Sequence, residues 1–559
     1  MRAIDLHVHS TCSDGTDSPS TIVTLACSRN LAAFALTDHD TTEGLEEVLF
    51  AAKDKDIEII SGIEFSTEYL NRDIHVLGLY INPYNPAFQE HIRSFRKSRD
   101  LRNRKMCLRL AELGIDITYE SLCESFEGSI LTRAHYARYL YEHGYVKSLK
   151  EAFERYVGDH CPAFVPREKI TPAEAVQLIL NAGGIPVLAH PILYRFSDRV
   201  LETLVSELKD AGLMGIETVY STYAPSEERY IRRLAAKYDL LITGGSDYHG
   251  ANKPDISLGN GRGHLFVPEE YLTKIKQAYL KRFACPPGEK AILFFDLDGT
   301  LLNDDKNISP DTMDALRACV YAGHRFAISS GRSSVSIRRI IERLHLEDLN
   351  PLISAFNGSQ ITDYAADKEL CSTKLPLTVV EKVRTITQKM GLHLQSYSDT
   401  TLLTEAVNEE LAFYLKWTGM NYSLLSNLAT DGPAPYKLLV INLHNKGLLD
   451  ECKKQIEELC GDETDCVFSN DYFLEILPKG VSKGSALEYL CNYTGIPLRH
   501  SYAFADAEND ISMLRAAGHG VALLNAQTFA KAEADYITFR DNNHDGLTDF
   551  LQKLTENRE

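Results

Sequence analysis

Short apolar runs that each stop at a polar, chemically competent residue recur through the first half of the chain. This rhythm constrains the fold more than any other feature. FALTDHD, IEIISGIEF, IPVLAHP, GIETVY and LLITGGSDYH are such runs, with helical patterns between them. Apolar runs alternating with helical segments predict an α/β domain, here over residues 1–284. In α/β barrels the carboxyl ends of parallel strands carry the reactive groups. Between about 88 and 158 the rhythm turns mostly helical and reads as an insertion. It holds a dense basic run: Arg93, Arg96, Lys97, Arg99, Arg102, Arg104, Lys105 and Arg109. Two readings stand for this run, a solvated helix face or a positive rim that helps capture an anionic substrate.

CPPGEK at 285–290 breaks the pattern and reads as a linker. AILFFDLDGTLL then opens a second α/β pattern over 291–559, within which about 377–477 is expected to form an α+β cap. A chain of 559 residues is too long for one core. Its net charge of −19 argues against a sequence-independent nucleic-acid coat, while leaving room for an enzyme that takes a short nucleotide into a locally positive pocket. The twelve cysteines include no CxxC pair, which predicts reduced thiols rather than disulfides or a zinc knuckle. MRAIDLHVHS lacks an apolar leader, and no run is long enough to span a bilayer. A cytoplasmic location with no membrane partner is the expectation.

His7 and His9 sit two apart on an extended run, so both imidazoles share a face. Asp14 follows in SDG, Asp38-His39-Asp40 ends FALTDHD, and Glu64 ends ISGIEF. His75 lies in DIHVLGLY, His190 in VLAHP, and Asp247 and His249 in GGSDYHG. Nitrogen and carboxylate donors without thiolate favour Mn²⁺, Fe²⁺ or Zn²⁺ in a hydrolytic site. Leaving Asp38 and Asp40 aside, these are nine donors, which suits two or three ions. Clustered ions clamp a phosphate ester and acidify a bound water.

The order HxH, SDG, TDHD, GIEFS, H, AHP and SDxHG closely resembles the PHP (polymerase and histidinol phosphatase) family. The resemblance covers essentially all of residues 1–280. It implies a distorted (β/α)7 barrel with a di- or trinuclear metal site at the carboxyl ends of its strands. AFERYVGDHCPAFVPR and AVQLILNAGGIPVLAHP further resemble a subgroup that removes phosphate from 3′,5′-nucleotide bisphosphates, some of whose members trim RNA from its 5′ end. That subgroup holds substrate phosphate with an arginine and a histidine, typically within GRPH. The segment here is LTRAHYARYL, so Arg133 and His135 match while the flanking glycine and proline do not. A surface salt bridge on an insertion helix is the competing reading for this pair. Asp38 either carries a proton or orients its neighbour His39.

In the second half, Asp296 and Asp298 directly follow an apolar run, and Gly299 permits a tight turn. One carboxylate can attack phosphorus while the other protonates the leaving oxygen and later activates water. RFAIS ends in Ser330-Gly331-Arg332, a place to hold phosphate oxygens, and Lys483 in GVSKGSAL supplies positive charge. Asp506, Asn509 and Asp510 in SYAFADAENDISML suit Mg²⁺ ligands and their support. This order resembles the haloacid dehalogenase (HAD) superfamily, which implies a doubly wound, Rossmann-like core. The resemblance puts Asp296 as nucleophile, Asp298 as general acid/base, Ser330 and Lys483 as phosphate binders, and Asp506 as side-chain Mg²⁺ ligand beside the Asp298 backbone carbonyl. AFNGSQI, KLLVI and FLEILPKGVSKGSAL resemble its Cof-type subfamily, which carries an α+β cap and hydrolyses sugar phosphates and phosphorylated cofactors. Ala505 stands where that family has glycine, and Leu524-Asn525-Ala526 where it has GNA, which could reshape the loop around Mg²⁺.

The expectation is a bifunctional metal-dependent phosphatase acting on small phosphorylated substrates such as a nucleotide bisphosphate or a sugar phosphate. A 5′–3′ exoribonuclease acting on short RNA, and a non-catalytic metabolite-sensing half, are the alternatives.

Overall fold

The computed structural model describes residues 2–126, 131–158, 160–165, 169–398 and 400–555. The chain divides into two compact units, Met1–Arg282 and Phe283–Glu559.

In the first unit, seven strands form one sheet in chain order. They are β1 (Ile4–Val8), β2 (Ala33–Leu36), β3 (Glu58–Tyr69), β4 (Arg72–Leu79), β5 (Ile185–Leu188), β6 (Gly215–Tyr220) and β7 (Leu241–Gly245). The Asp247 N–H donates to the His7 carbonyl and the His9 N–H to the Tyr248 carbonyl, each at 2.9 Å, so the sheet nearly closes between β7 and β1. Strands such as β2 (AFAL) and β5 (IPVL) are buried at every residue. Continuous apolar runs of this kind mark parallel strands covered on both faces.

One strand departs from the expected βα rhythm. β4 pairs antiparallel with both β3 and β5. The turn into it passes through Leu70 and Asn71 at φ 50° and 59°, two left-handed residues of the kind that match hairpin twist. Because β4 runs backwards, its beginning lies at the end of the sheet where β3 finishes, and Ser66 stands opposite His75.

The insertion opens with the helix Pro86–Glu112, started by the Asn85 side chain, which accepts from the Phe88 N–H, and by proline in the first turn. It continues through Tyr119–Ser125 and Arg133–Glu142 to Phe153–Val157. Met106, Leu110, Leu122, Tyr136, Leu140 and Val157 give it a core of its own. The buried Arg99–Asp40 ion pair ties it to the end of β2. The basic run divides. Arg93, Arg96 and Arg104 pair with Glu90, Glu43 and Glu120 on the surface, whereas Arg99 and Arg102 turn into a cavity.

The second unit contains two sheets. The larger one comprises β8 (Ile292–Phe295), β9 (Arg325–Ser329), β10 (Leu352–Ala355), β11 (Gln360–Asp363) and β12 (Lys368–Ser372). The smaller comprises β13 (His393–Tyr397), β14 (Leu402–Thr404), β15 (Tyr422–Leu424), β16 (Leu438–Ile441), β17 (Thr464–Asn470) and β18 (Phe473–Pro478). β19 (Ser501–Ala505), β20 (His519–Ala522) and β21 (Tyr536–Ile537) return to the larger sheet, whose order is β12-β11-β10-β9-β8-β19-β20-β21. Strand order reverses between β8 and β19, and open α/β sheets bind ligands outside such a switch point. The smaller sheet, in the order β15-β14-β13-β16-β18-β17, packs Val440, Leu438 and Leu474 against Val379 and Val383 of the helix Leu377–Met390 and Ile456 of Lys446–Cys460. No helix among the described residues is long and apolar enough to cross a membrane.

Candidate active sites

All nine expected donors of the first unit converge at one end of the barrel. Glu64, at the level where β3 bridges to His39, is the hub. Its Oε2 lies 3.3 Å from His7 Nε2, 3.1 Å from His9 Nε2 and 3.1 Å from His39 Nδ1. Its Oε1 lies 2.9 Å from His75 Nδ1 and 3.1 Å from His190 Nε2. Asp14 Oδ1 stands 3.2 Å from His249 Nε2, and Asp247 Oδ1 3.4 Å from His9 Nε2. The donors form overlapping sets: His9, Asp14, His39 and His249; His7, Glu64 and His190; His7, His9 and Asp247; His39, Glu64 and His75. His75 reaches this end because β4 is reversed.

The strand ends are held in uncommon backbone conformations. Asp40, His190 and Asp247 have φ of 54°, 26° and 57°, a strain that surrounding structure must hold in place.

A shared cation fits this donor set. His7 Nε2 and His39 Nδ1 are buried and, though 3.3 and 3.1 Å from the Glu64 carboxylate, lack a hydrogen bond of good geometry, a costly state for polar atoms. Burial lowers the affinity of His7 for protons, but Glu64, Glu217 and Asp247 outweigh it and hold its pKa well above the usual range. His9 behaves alike: burial lowers its proton affinity, but hydrogen bonds that its ring donates to Asp247 and Glu64 outweigh this and push it up to about 9. The carboxylates Glu64, Asp14 and Asp247 are held ionised by the surrounding histidines, and Asp247 also by Lys253, against the burial that opposes this. Excess negative charge is thus concentrated where positive charge would be most strongly held.

Residues absent from the sequence reading support the donors. Glu217 lies 3.2 Å from His7 Nδ1 and accepts the His190 N–H at 2.7 Å. The Tyr220 hydroxyl donates to Asp247 Oδ2 at 2.6 Å, and Lys253 Nζ donates to the same oxygen at 2.5 Å. Both Glu217 and Tyr220 belong to GIETVY. An acid inside a fully buried strand was the available signal.

Two expected residues stand elsewhere than their roles required. Asp38 accepts from the Ser10 N–H at 2.7 Å, the Ser10 hydroxyl at 2.6 Å and the Ser13 hydroxyl at 2.5 Å. Its oxygens are engaged in tying down the loop after β1, and among the described residues no hydrogen bond joins it to His39. His135 is buried, and its Nδ1 accepts the Thr132 N–H at 3.0 Å within the start of its own helix. Burial pushes it down to about 4.

Arg133 does face a cavity of about 460 Å³, together with Asp14, His39, His75, Arg99 and Lys169. Asp73 there accepts from Arg133 at 3.1 Å and also pairs with Lys169.

In the second unit, the ends of β8 and β19 meet at the switch point. Lys483, fully buried, donates to Asp296 Oδ1 at 2.5 Å and also to Asp510. Asp296, Asp506 and Asp510 offer oxygens close enough to share one ion. Burial raises the Asp296 carboxyl to about 7, against the charge of Lys483. Thr300 Oγ donates to Asp506 at 2.5 Å, and a side chain at Gly299 (φ 85°) would strike the Asp506 carboxylate. Asp298 accepts Arg332 Nε at 2.7 Å and Nη2 at 2.8 Å, with Lys306 at 2.9 Å; burial would raise this carboxyl, but these cations outweigh it and hold it below its usual range.

Ser330 is buried at the end of β9, and a side chain at Gly331 would press to 3.2 and 3.3 Å from the Glu475 and Asn357 side-chain oxygens. Asn509 donates to Asn357 at 3.3 Å, Asn357 to Glu475 at 2.8 Å, and Lys437 to Glu475 at 2.7 Å. Asn357 and Lys437 lie in the strings AFNGSQI and KLLVI that carried the resemblance. Lys306 and Glu475 were not singled out, because no spacing to the DxD motif marks them, and Arg332 was named only as the end of the Ser330-Gly331-Arg332 run.

Residues 5–158 match the PHP domain profile, and residues 293–551 match that of the haloacid dehalogenase-like hydrolases. The chain is 36% identical over 245 residues to a 5′-3′ exoribonuclease of Haemophilus influenzae, covering 44% of this chain and 89% of that protein. It is 32% identical over 263 residues to a 3′,5′-nucleoside bisphosphate phosphatase of Chromobacterium violaceum (46% and 92%). It is also 30% identical over 239 residues to an HMP-PP phosphatase of Yersinia pestis (43% and 85%). A haloacid dehalogenase-like hydrolase from Bacteroides thetaiotaomicron aligns with a TM-score of 0.44 at 27% identity, over 47% of this chain and 99% of that one. Fold and site together define a metal-dependent phosphoric monoester hydrolase with two reaction centres. The chain belongs to the PHP family through its first half and to the haloacid dehalogenase-like hydrolases through its second.

Proposed function

We propose that the first unit hydrolyses a phosphate monoester of a 3′,5′-nucleotide bisphosphate, and that the second dephosphorylates a small metabolite through an aspartyl-phosphate. The observation that carries the first reading is the cavity, where Asp14, His39 and His75 face Arg99, Arg102, Arg133 and Lys169. Its 460 Å³ lies within the span of small-molecule sites, about 300–1,000 Å³. His7, His9, Asp14, His39, Glu64, His75, His190, Asp247 and His249 would hold two or three ions, Mn²⁺ first and Fe²⁺ or Zn²⁺ as alternatives. Bound there, the ions supply Lewis acidity to a phosphate oxygen and acidify a water. Arg133 and Lys169 share Asp73 as counter-ion and would exchange it for a substrate phosphate, a bidentate fork for the arginine. The exoribonuclease reading draws on the Haemophilus relative. Against long RNA stands the pairing of Arg93, Arg96 and Arg104 with surface carboxylates, which removes much of the field that would track a polymer.

In the second unit Asp296 would attack phosphorus, with Lys483 neutralising both the nucleophile and the phosphoryl oxygens. Ser330 Oγ and the Gly331 N–H would donate to those oxygens. Asp298, held ionised here by Arg332 and Lys306, would take up a proton once substrate displaces those contacts, give it to the leaving oxygen, then take one from the water that opens the aspartyl ester. Asp296, Asp506 and Asp510, with the Asp298 carbonyl, would hold Mg²⁺, which prefers few carboxylates and an all-oxygen shell.

The test is phosphate release by the full chain loaded with Mn²⁺ and Mg²⁺, from 3′-phosphoadenosine 5′-phosphate, 5′-phosphorylated RNA and sugar phosphates. His7→Ala should abolish bisphosphate hydrolysis and Asp296→Asn sugar-phosphate hydrolysis. Bisphosphate turnover that survives His7→Ala would sink the first assignment.

A further inference from the structure

Beside the second reaction centre lies a smaller cavity of about 170 Å³. The helix Ser334–Arg343 and the residue before its cap contribute Arg332, Ser336, Arg339 and Arg343, and the small α+β domain contributes Thr400 and Thr418. Positions 336, 339 and 343 recur at three and four residues, so one face of the helix supplies them. No acidic side chain lines the cavity among the described residues.

The charge arrangement is one-sided. Arg339 forms no ion pair among the described residues, and the Arg343 guanidinium donates to the Lys306 carbonyl at 2.5 Å rather than to a carboxylate. Arg339 and Arg343 stand four apart on a helix, a like-charge spacing that weakens the helix by a few tenths of a kcal/mol. The neighbouring Arg338 is by contrast paired with Asp367 at 3.0 Å. Val335, Ile340 and Met420 complete the lining, and a small pocket that sets three guanidiniums and several hydroxyls against these apolar groups has the chemistry of an anion receptor.

Its position says which part of a substrate it would meet. Arg332 both lines this cavity and grips Asp298 through two hydrogen bonds. Asp298 is the carboxyl that would protonate the leaving oxygen, so the space beyond Arg332 lies on the leaving-group side. The cavity is too small for a nucleoside or a cofactor ring system, which occupy sites of about 300 Å³ and more. It is large enough for one further phosphate or carboxylate.

We propose that this cavity is a second anion subsite, so that the preferred substrate of the second unit carries a phosphate or carboxylate on its leaving group in addition to the phosphate removed. The proposal rests on the reading of Asp296 and Asp298 given above. Arg339 and Arg343 are specificity residues in it: they hold the distal anion and take no part in bond making.

Three hexose substrates on related skeletons test it in the full-length protein: glucose 6-phosphate, glucose 1,6-bisphosphate and 6-phosphogluconate. His7→Ala is kept throughout, so that release belongs to the second unit. Wild-type residues at 339 and 343 should give a higher kcat/KM for at least one doubly anionic substrate than for glucose 6-phosphate. Arg339→Ala/Arg343→Ala should lower that preference about tenfold or more through KM, the scale of a lost charge-assisted hydrogen bond. The kcat for glucose 6-phosphate should stay within about twofold. Arg339→Lys should recover part of the preference. Loss for the bisphosphate alone identifies a phosphate site, and loss for both an anion site of either kind. The proposal is overturned if no doubly anionic substrate is preferred, or if the preference survives the double substitution. Asp296→Asn separates the two failures: if it leaves release intact, the reading of the reaction centre fails; if it abolishes release while the preference is absent, only the subsite fails. Both arginines are exposed, and an unchanged melting temperature confirms that the variants fold.

Discussion

Glu217 faces no substrate, yet it fixes one ring nitrogen of His7 and the backbone of His190 at once. Groups that orient ligating histidines typically contribute a factor of about 10–100 in metal affinity. Glu217→Ala should therefore lower Mn²⁺ affinity by that factor, measurable by titrating metal-stripped protein, while Glu217→Gln should retain part of it. Unchanged affinity in the alanine variant would show that the other donors orient themselves. The residue scale also shows where sequence reading works. His7, His9, His39, Glu64 and His190 sit at the ends of apolar runs, so their convergence was legible from strand periodicity alone. Glu217 was not, since its acid is hidden inside a run rather than at its end. Asp38 misled for the opposite reason: it adjoins a donor in sequence, but its side chain turns to Ser10 and Ser13.

Among elements, the smaller sheet of the second unit left a trace in the sequence, because its strands and helices keep their own apolar periods between Leu377 and Pro478. The reversal of β4 was not. Its turn, Leu70-Asn71, lacks the glycine that usually signals a two-residue hairpin. The pair Lys437–Glu475, at 2.7 Å and with both side chains at most 5% exposed, joins the strand pair β16–β18 to Asn357 at the end of β10. Removing one member of such a buried pair strands a charge and costs about 3–5 kcal/mol. Lys437→Met should lower the urea midpoint of the second unit accordingly, with circular dichroism as the readout. A loss below about 0.5 kcal/mol, the range of ordinary surface substitutions, would show that water already reaches Glu475.

At the level of the whole molecule, two centres that use different donor chemistry should respond separately to metal. After complete chelation, Mg²⁺ alone should restore sugar-phosphate hydrolysis, since the Asp296, Asp506 and Asp510 set is all oxygen. Hydrolysis of the nucleotide bisphosphate should return only with Mn²⁺, Fe²⁺ or Zn²⁺, which imidazole nitrogens favour. Restoration of both activities by Mg²⁺ alone would contradict that division. The two-unit organisation itself was legible from the restart of apolar periodicity at AILFFDLDGT. The position of the cleft beside Arg339 was not, because it depends on which helix face meets Thr400 and Thr418.

The reversed strand leaves the barrel with a tip that belongs to no catalytic set. Glu68, Asn71 and Asp73 of the β3–β4 hairpin line the larger cavity, while Leu70 between them is exposed. The donors Glu64 and His75 sit deeper along the same two strands, anchored by the ladder from Gly62–Leu79 to Tyr69–Arg72. Lengthening the turn would therefore redraw the pocket rim without shifting the ring of histidines. This hairpin is a natural graft point for retuning which phosphorylated molecules enter, whether by evolutionary drift or by design.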